Sequence, residues 1–195
     1  VLQMANSYSI YNGMIGLAQT LDNIRATGIE PVGAYANASE FRQGKGYTIC
    51  EAQGIKVALV PFTKGMGSLG LPEGSENCVN VLYVDYATTY QDVDEDKIKS
   101  ILKSVASEEP DITIALLHWG SEYNDAISDT QEDILELMQA NGVDAIIGTH
   151  SHMVHEISYD DTTGFLVAYS LGDFFGDGSR GGTNYSIILD LEITK

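Results

Sequence analysis

Apolar residues at Met14, Leu17, Ala18, Leu21 and Ile24 recur every three or four positions between Gly13 and Gly28, which predicts a helix closed by a glycine. The same spacing at Ile98, Ile101, Leu102 and Val105 predicts a second helix over 94–105, with Asp94 and Glu95 at the end where the helix dipole favours negative charge. A third helix is predicted over 130–141, its apolar face built from Ile134, Leu135, Leu137 and Met138. Two segments, 112–117 and 143–147, are uninterrupted apolar runs that predict strands buried on both faces. Strands are also predicted over 47–52 and 55–62, joined by the tight turn Gln53-Gly54 into a hairpin, and over 78–86, 154–158, 165–169 and 185–193. The chain opens at Val1 on what reads as an inner strand already under way, so an N-terminal portion is expected to precede it. Strand, helix, strand over 112–147 is a right-handed βαβ unit within mixed sheets flanked by helices, an α/β fold.

The 195 residues fit one domain spanning 1–195, large enough to hold a core without staples. A hydrophobic share of 44%, with 20 Gly and 4 Pro, is that of a globular protein. Charge changes the picture: 10 Lys+Arg against 28 Asp+Glu give −18, a field that repels nucleic acid and anionic lipid, so no nucleic-acid partner is expected. No apolar run approaches a membrane span, which leaves a membrane link only through a missing N-terminal anchor. Cys50 and Cys78 match no metal or redox spacing and read as free thiols, with a single disulfide as the alternative.

The chemistry gathers at two strand ends. All four histidines, His118, His150, His152 and His155, fall in two short windows, the first just after the apolar strand 112–117 and the others just after 143–147. Ligands in α/β folds sit outside the carboxyl ends of strands, and neutral imidazole is a common metal ligand. His118, His150 and His152 are therefore candidate ligands for a divalent transition metal. On extended backbone the last two would project to one side, with Gly148 letting the chain turn closely beside the ion. Glu122 and Asp173 are candidates to orient these imidazoles or to add carboxylates. Trp119 is expected to pack the strand end or wall the cleft. The glycine-rich stretch 63–70 lacks the ending of a phosphate cradle and reads as a flexible surface loop.

Three motifs in order, Leu117-His118-Trp119-Gly120-Ser121-Glu122-Tyr123, then Gly148-Thr149-His150-Ser151-His152, then Tyr169-Ser170-Leu171-Gly172-Asp173-Phe174, resemble the signatures of the bacterial capsule-synthesis proteins of the CapA type. That family includes poly-γ-glutamate synthesis and export proteins (PgsA) and resembles the calcineurin-like metallophosphoesterases. The resemblance implies a four-layer α/β/β/α metallophosphoesterase-like sandwich whose N-terminal strands are missing here. It implies a cleft for two ions (Mn, Fe or Zn) about 3.5–4 Å apart around a bridging hydroxide. The implied partners are an anionic cell-envelope polymer or a phosphoester, together with other capsule-synthesis proteins, and the implied location is the outer face of the bacterial envelope.

Carried over by position, His118 matches a metal-ligating histidine and His150 and His152 match the Gly-x-His-x-His pair. The family's Ala-Asn-Asn-His motif aligns with Ala5-Asn6-Ser7-Tyr8. Asn6 and Ser7 are thus candidate binding residues, with Ser7 where an asparagine ligand is usual, and Tyr8 stands where the proton-donating histidine is usual. Tyr11 replaces an aspartate and His155 a glutamine. Two readings stay open, a metal-dependent hydrolase with Tyr8 as its acid and a non-catalytic polymer-binding or assembly protein on the same fold. An unrelated sugar- or nucleotide-binding α/β protein is a third.

Overall fold

The computed structural model describes residues 1–176 and 178–194. Its main sheet has six strands in the order β3-β4-β5-β6-β8-β7, where β3 is Thr48–Ala52, β4 Ile55–Thr63, β5 Ile112–His118, β6 Ala145–Thr149, β7 Ile157–Asp160 and β8 Phe165–Ala168. The central strands β4, β5, β6 and β8 run parallel, while β3 and β7 add antiparallel edges. The second sheet is a parallel pair, β1 (Leu2–Gln3) and β2 (Pro31–Val32), connected through helix α1 (Gly13–Ala26). The mixed α/β class is as expected, with the second sheet reduced to these two strands.

One face of the main sheet is covered by α3 (Glu95–Ala106) and α4 (Asp129–Ala140). Ile98, Ile101, Leu102, Ile134 and Met138 pack there on Ala58, Val60, Phe62, Ala115, Leu117 and Ile146. Both helices start as the sequence predicts. Asp94 accepts a hydrogen bond from the Lys97 amide, and Ser128 forms a capping box with Gln131. On the opposite face Gln3 ties the small sheet to the large one, its Nε2 donating to the carbonyls of Phe62 (3.3 Å) and Leu116 (3.1 Å).

Several elements differ from the sequence reading. Helix α2 (Ala38–Gly44) is absent from the hydrophobic pattern because it is only about two turns long and buries no side chain fully, started by Asn37 and ended at left-handed Lys45. Residues 78–86 form isolated bridges, Ala34↔Val79, Thr63↔Val81 and Tyr83↔Val93, because this stretch crosses from one core to the other and meets a new neighbour at each contact. The predicted strand 185–193 makes one bridge, Gly172↔Ser186, and among the described residues forms no further ladder, although Leu191 packs on the sheet. The strand expected at 154–158 begins three residues later, after a bridge between Val154 and Leu171. Cys50 and Cys78 are free thiols.

Gly148 lies inside β6, and its role is not to bend the chain beside an ion. A Cβ there would overlap the Tyr169 carbonyl oxygen and the indole nitrogen of Trp119. Those two atoms are themselves hydrogen-bonded at 3.0 Å, and the Trp119 and Tyr169 rings stack. Gly148→Ala should therefore force the strand end apart and cost about 1–3 kcal/mol, read as a lowered thermal midpoint. A midpoint unchanged from wild type would contradict this packing.

Candidate functional site

Strands β4, β5 and β6 finish side by side. Thr63 pairs with His118, and His118 pairs with Thr149. The residue following each strand, or closing it, is thereby carried to one edge: Lys64 after β4, His118 at the end of β5, His150 after β6. Strand β1 brings Asn6, Ser7 and Tyr8 to the same edge from the small sheet. A cleft of about 620 Å³ opens there, bordered by Ser7, Tyr8, Lys64, Glu122 and His150 and walled by the glycine-rich segment Gly65–Leu69.

The His118 and His150 rings lie 4.5 Å apart between centroids. His118 Nε2 is 3.1 Å from Ser7 Oγ, and its Nδ1 is 3.1 Å from Thr149 Oγ1, so a hydroxyl stands against each ring nitrogen. His152 turns away from this pair. Its Nδ1–H donates to the Asp173 carboxylate (2.9 and 3.0 Å), and its ring stacks on Tyr123, over which the Arg180 guanidinium sits at 3.8 Å. His150 (φ 104°) and His152 (φ 64°) are both left-handed, so they do not stand on extended backbone as expected. A non-glycine residue held there is strained, and two in one pentapeptide mark a turn fixed by its surroundings.

Burial sets the charge state. Desolvation, with His152 and Lys64 as further positive neighbours, lowers the His118 pKa to about 4. Desolvation followed by His118, Lys64 and His152 lowers that of His150 to about 3. Burial also lowers the Lys64 ammonium, against the pull of Glu122. It donates to the Gly120 carbonyl at 2.6 Å and lies over the Tyr90 ring.

The other candidates separate. Asp173 stands against one imidazole, accepting from His152, whereas Glu122 borders the cleft facing Lys64. Asn6 closes a turn, its Oδ1 accepting from the Tyr8 amide at 2.8 Å. Trp119 is buried, 1% exposed, with its indole N–H on the Tyr169 carbonyl, and does not line the cleft. Tyr8 is 71% exposed, edge-on to Tyr11. His155 is buried apart from the pair, its Nε2–H donating to the Asn124 carbonyl at 2.9 Å. Lys64 was missed by sequence reasoning, although it follows an apolar strand just as the histidines do. The segment after it is packed at its start, where Met66 is buried and Gly65 lies against the Tyr86 carbonyl, while residues 67–70 are exposed as a surface loop.

Neutral imidazoles suit a divalent transition metal in kind. They fall short in arrangement, because His118 has both nitrogens against hydroxyls and His152 has Nδ1 on Asp173. Among the described residues no three His, Cys, Asp or Glu stand together as an ion-holding group. The chain thus presents the nitrogen part of a metal centre rather than a whole one.

An α/β protein with an imidazole-lined cleft at the carboxyl ends of its parallel strands is the class that fold and site define. The chain belongs to the bacterial capsule synthesis protein family PGA_cap, which it matches over residues 1–177. It is 27% identical over 195 residues to the PGA biosynthesis protein CapA of Bacillus subtilis (strain 168), covering 100% of this chain and 47% of that protein. It is also 27% identical over 179 residues to the capsule biosynthesis protein CapA of Bacillus anthracis, covering 91% and 40%. The chain spans less than half the length of these relatives. Similar solved structures include the calcineurin-like phosphoesterase YfkN of Bacillus subtilis (TM-score 0.45, 20% identity, 76% of this chain and 44% of that one). Another is a putative 5'-nucleotidase of Staphylococcus aureus (TM-score 0.49, 13% identity, 88% and 38%).

Because the two imidazoles are neutral when folded and titrate near 6.5 when unfolded, the unfolded chain binds more protons between about pH 4 and 6.5. Stability from this source is full above pH 6.5 and falls on acidification, by at most about 2 kcal/mol per histidine at pH 5. Thermal midpoints at pH 7 and pH 5 should differ by several degrees less in His150→Gln than in wild type. An equal drop in both proteins would contradict the assigned neutrality.

Proposed function

We propose that this chain serves capsule synthesis or export at the outer face of the bacterial envelope, acting as one domain that binds an anionic cell-envelope polymer, poly-γ-glutamate among the candidates, or a phosphoester group in its cleft. Membership of the capsule synthesis family supports the process. The observation that carries the binding reading is Lys64, a desolvated cation held at the strand ends beside two uncharged imidazoles. In a chain of net charge −18 an anionic ligand needs such a local departure from the overall field. The stacked Arg180 adds a second cation beside His152. Other capsule-synthesis proteins are the partners this reading calls for. Among the described residues no helix is long and apolar enough to cross a membrane.

A second reading, a hydrolase using Mn, Fe or Zn, is favoured by the neutral His118–His150 pair, since that is the protonation state in which imidazole binds a metal. The hydrogen bond distance between Ser7 and His118 favours the non-catalytic reading, because Ser7 occupies the nitrogen that an ion would need.

Binding of soluble anionic envelope polymers, measured by calorimetry at two salt concentrations, tests the first reading. Wild type should bind at least one with affinity that falls with salt, and Lys64→Gln should weaken it by about fivefold or more. Binding to none, or binding indifferent to Lys64→Gln, would overturn it. Elemental analysis of tag-free protein tests the second, for which about one equivalent of transition metal is required.

A further inference from the structure

The polymer-binding reading above leaves the ligand's chemistry open, and the cleft wall bears on it. Tyr8 and Tyr11 stand on its rim 71% and 69% exposed, their ring centroids 6.0 Å apart and their planes 68° from parallel. A third ring, Tyr90, borders the floor, where its face already carries the Lys64 ammonium. Exposed tyrosines gathered at one cleft are the composition of a binding surface, since each offers a broad apolar face at small entropic cost. Ser68, Ser121 and Glu122 line the same cleft.

Glu122 decides between ligand classes. An ionised carboxylate only accepts hydrogen bonds, so a ligand beside it must bring donors. A poly-γ-glutamate chain brings one amide N–H donor per residue and leaves the tyrosine faces without a flat partner. A sugar chain brings several hydroxyl donors per ring and a C–H face of the size of a phenol ring.

We infer that the cleft binds a glycan bearing carboxylates, its pyranose rings packed on Tyr8 and Tyr11, its hydroxyls donating to Glu122 and a uronate carboxylate accepting from Lys64. The corner made by the two tyrosines suits a chain that changes direction between rings, and Lys64 keeps N–H donors beyond the one given to Gly120. The inference rests on the polymer-binding reading and narrows it to one class.

Calorimetric titration of the protein with hexagalacturonate, chitohexaose and a poly-γ-glutamate decamer separates the two levels. Hexagalacturonate should bind, with chitohexaose about fivefold weaker or more and the decamer weaker still. The Tyr8→Ala/Tyr11→Ala variant should lose about tenfold or more for hexagalacturonate, and Tyr8→Phe/Tyr11→Phe should stay within about twofold of wild type, because the ring face is kept. Both pairs are exposed, and circular dichroism confirms that each variant is folded. Preference for the decamer overturns the glycan inference and leaves the polymer-binding reading standing, as does hexagalacturonate binding that ignores loss of both rings. Equal affinity for the two sugars overturns the uronate assignment, and binding of none overturns both levels.

Discussion

Everything at the cleft depends on the in-register ending of three parallel strands. Parallel pairing fixes Thr63, His118 and Thr149 in one row, so the side chains that follow are delivered to one edge without any loop having to reach for it. Gly148 keeps that row closed by letting Trp119 and Tyr169 pack behind it, and the indole N–H is satisfied inside by the Tyr169 carbonyl. The small sheet, held by the Gln3 side chain, sets Ser7 against His118 from the other side.

This convergence produces an unusual electrostatic patch. The chain as a whole is strongly acidic, yet a desolvated ammonium and two uncharged imidazoles gather at the strand ends, and among the described residues that border the cleft Glu122 is the one carboxylate. The imidazoles stay neutral chiefly because they are buried, with neighbouring positive groups adding to the effect, and burial likewise lowers the Lys64 ammonium against the pull of Glu122. His152 is handled differently. Asp173 accepts its Nδ1–H while Tyr123 and Arg180 cover its ring, which separates it from the pair two residues before it.

Much of this was legible in the residues. Apolar runs ending on histidine located β5 and β6 and predicted that His118, His150 and His152 would share one cleft, of which the first two meet while His152 turns to Asp173, and period-3.6 patterns located α1, α3 and α4. What escaped was contact-dependent. The stretch 78–86 alternates like a strand, but alternation reports a half-buried extended chain and not a continuous ladder partner. His150 and His152 were read on extended backbone because spacing says nothing of φ, and the left-handed turn is imposed by Tyr169, Asp173 and Tyr123 from elsewhere in the chain. Lys64 was hidden by the glycines after it, which suggested a surface loop throughout where the structure packs Gly65 and Met66 and exposes only residues 67–70. Only the tertiary fold shows that Ser7 meets His118 across 111 positions.

Strand-end convergence buries His118 and His150 as neutral neighbours. Long-range proton–nitrogen correlation spectra of the four imidazoles, followed from pH 8 to pH 4.5, measure this directly. Two of the four rings, assigned by His118→Gln and His150→Gln, should remain neutral throughout the range to below pH 5. Either of them titrating near 6.5, as a solvated imidazole does, would contradict the account.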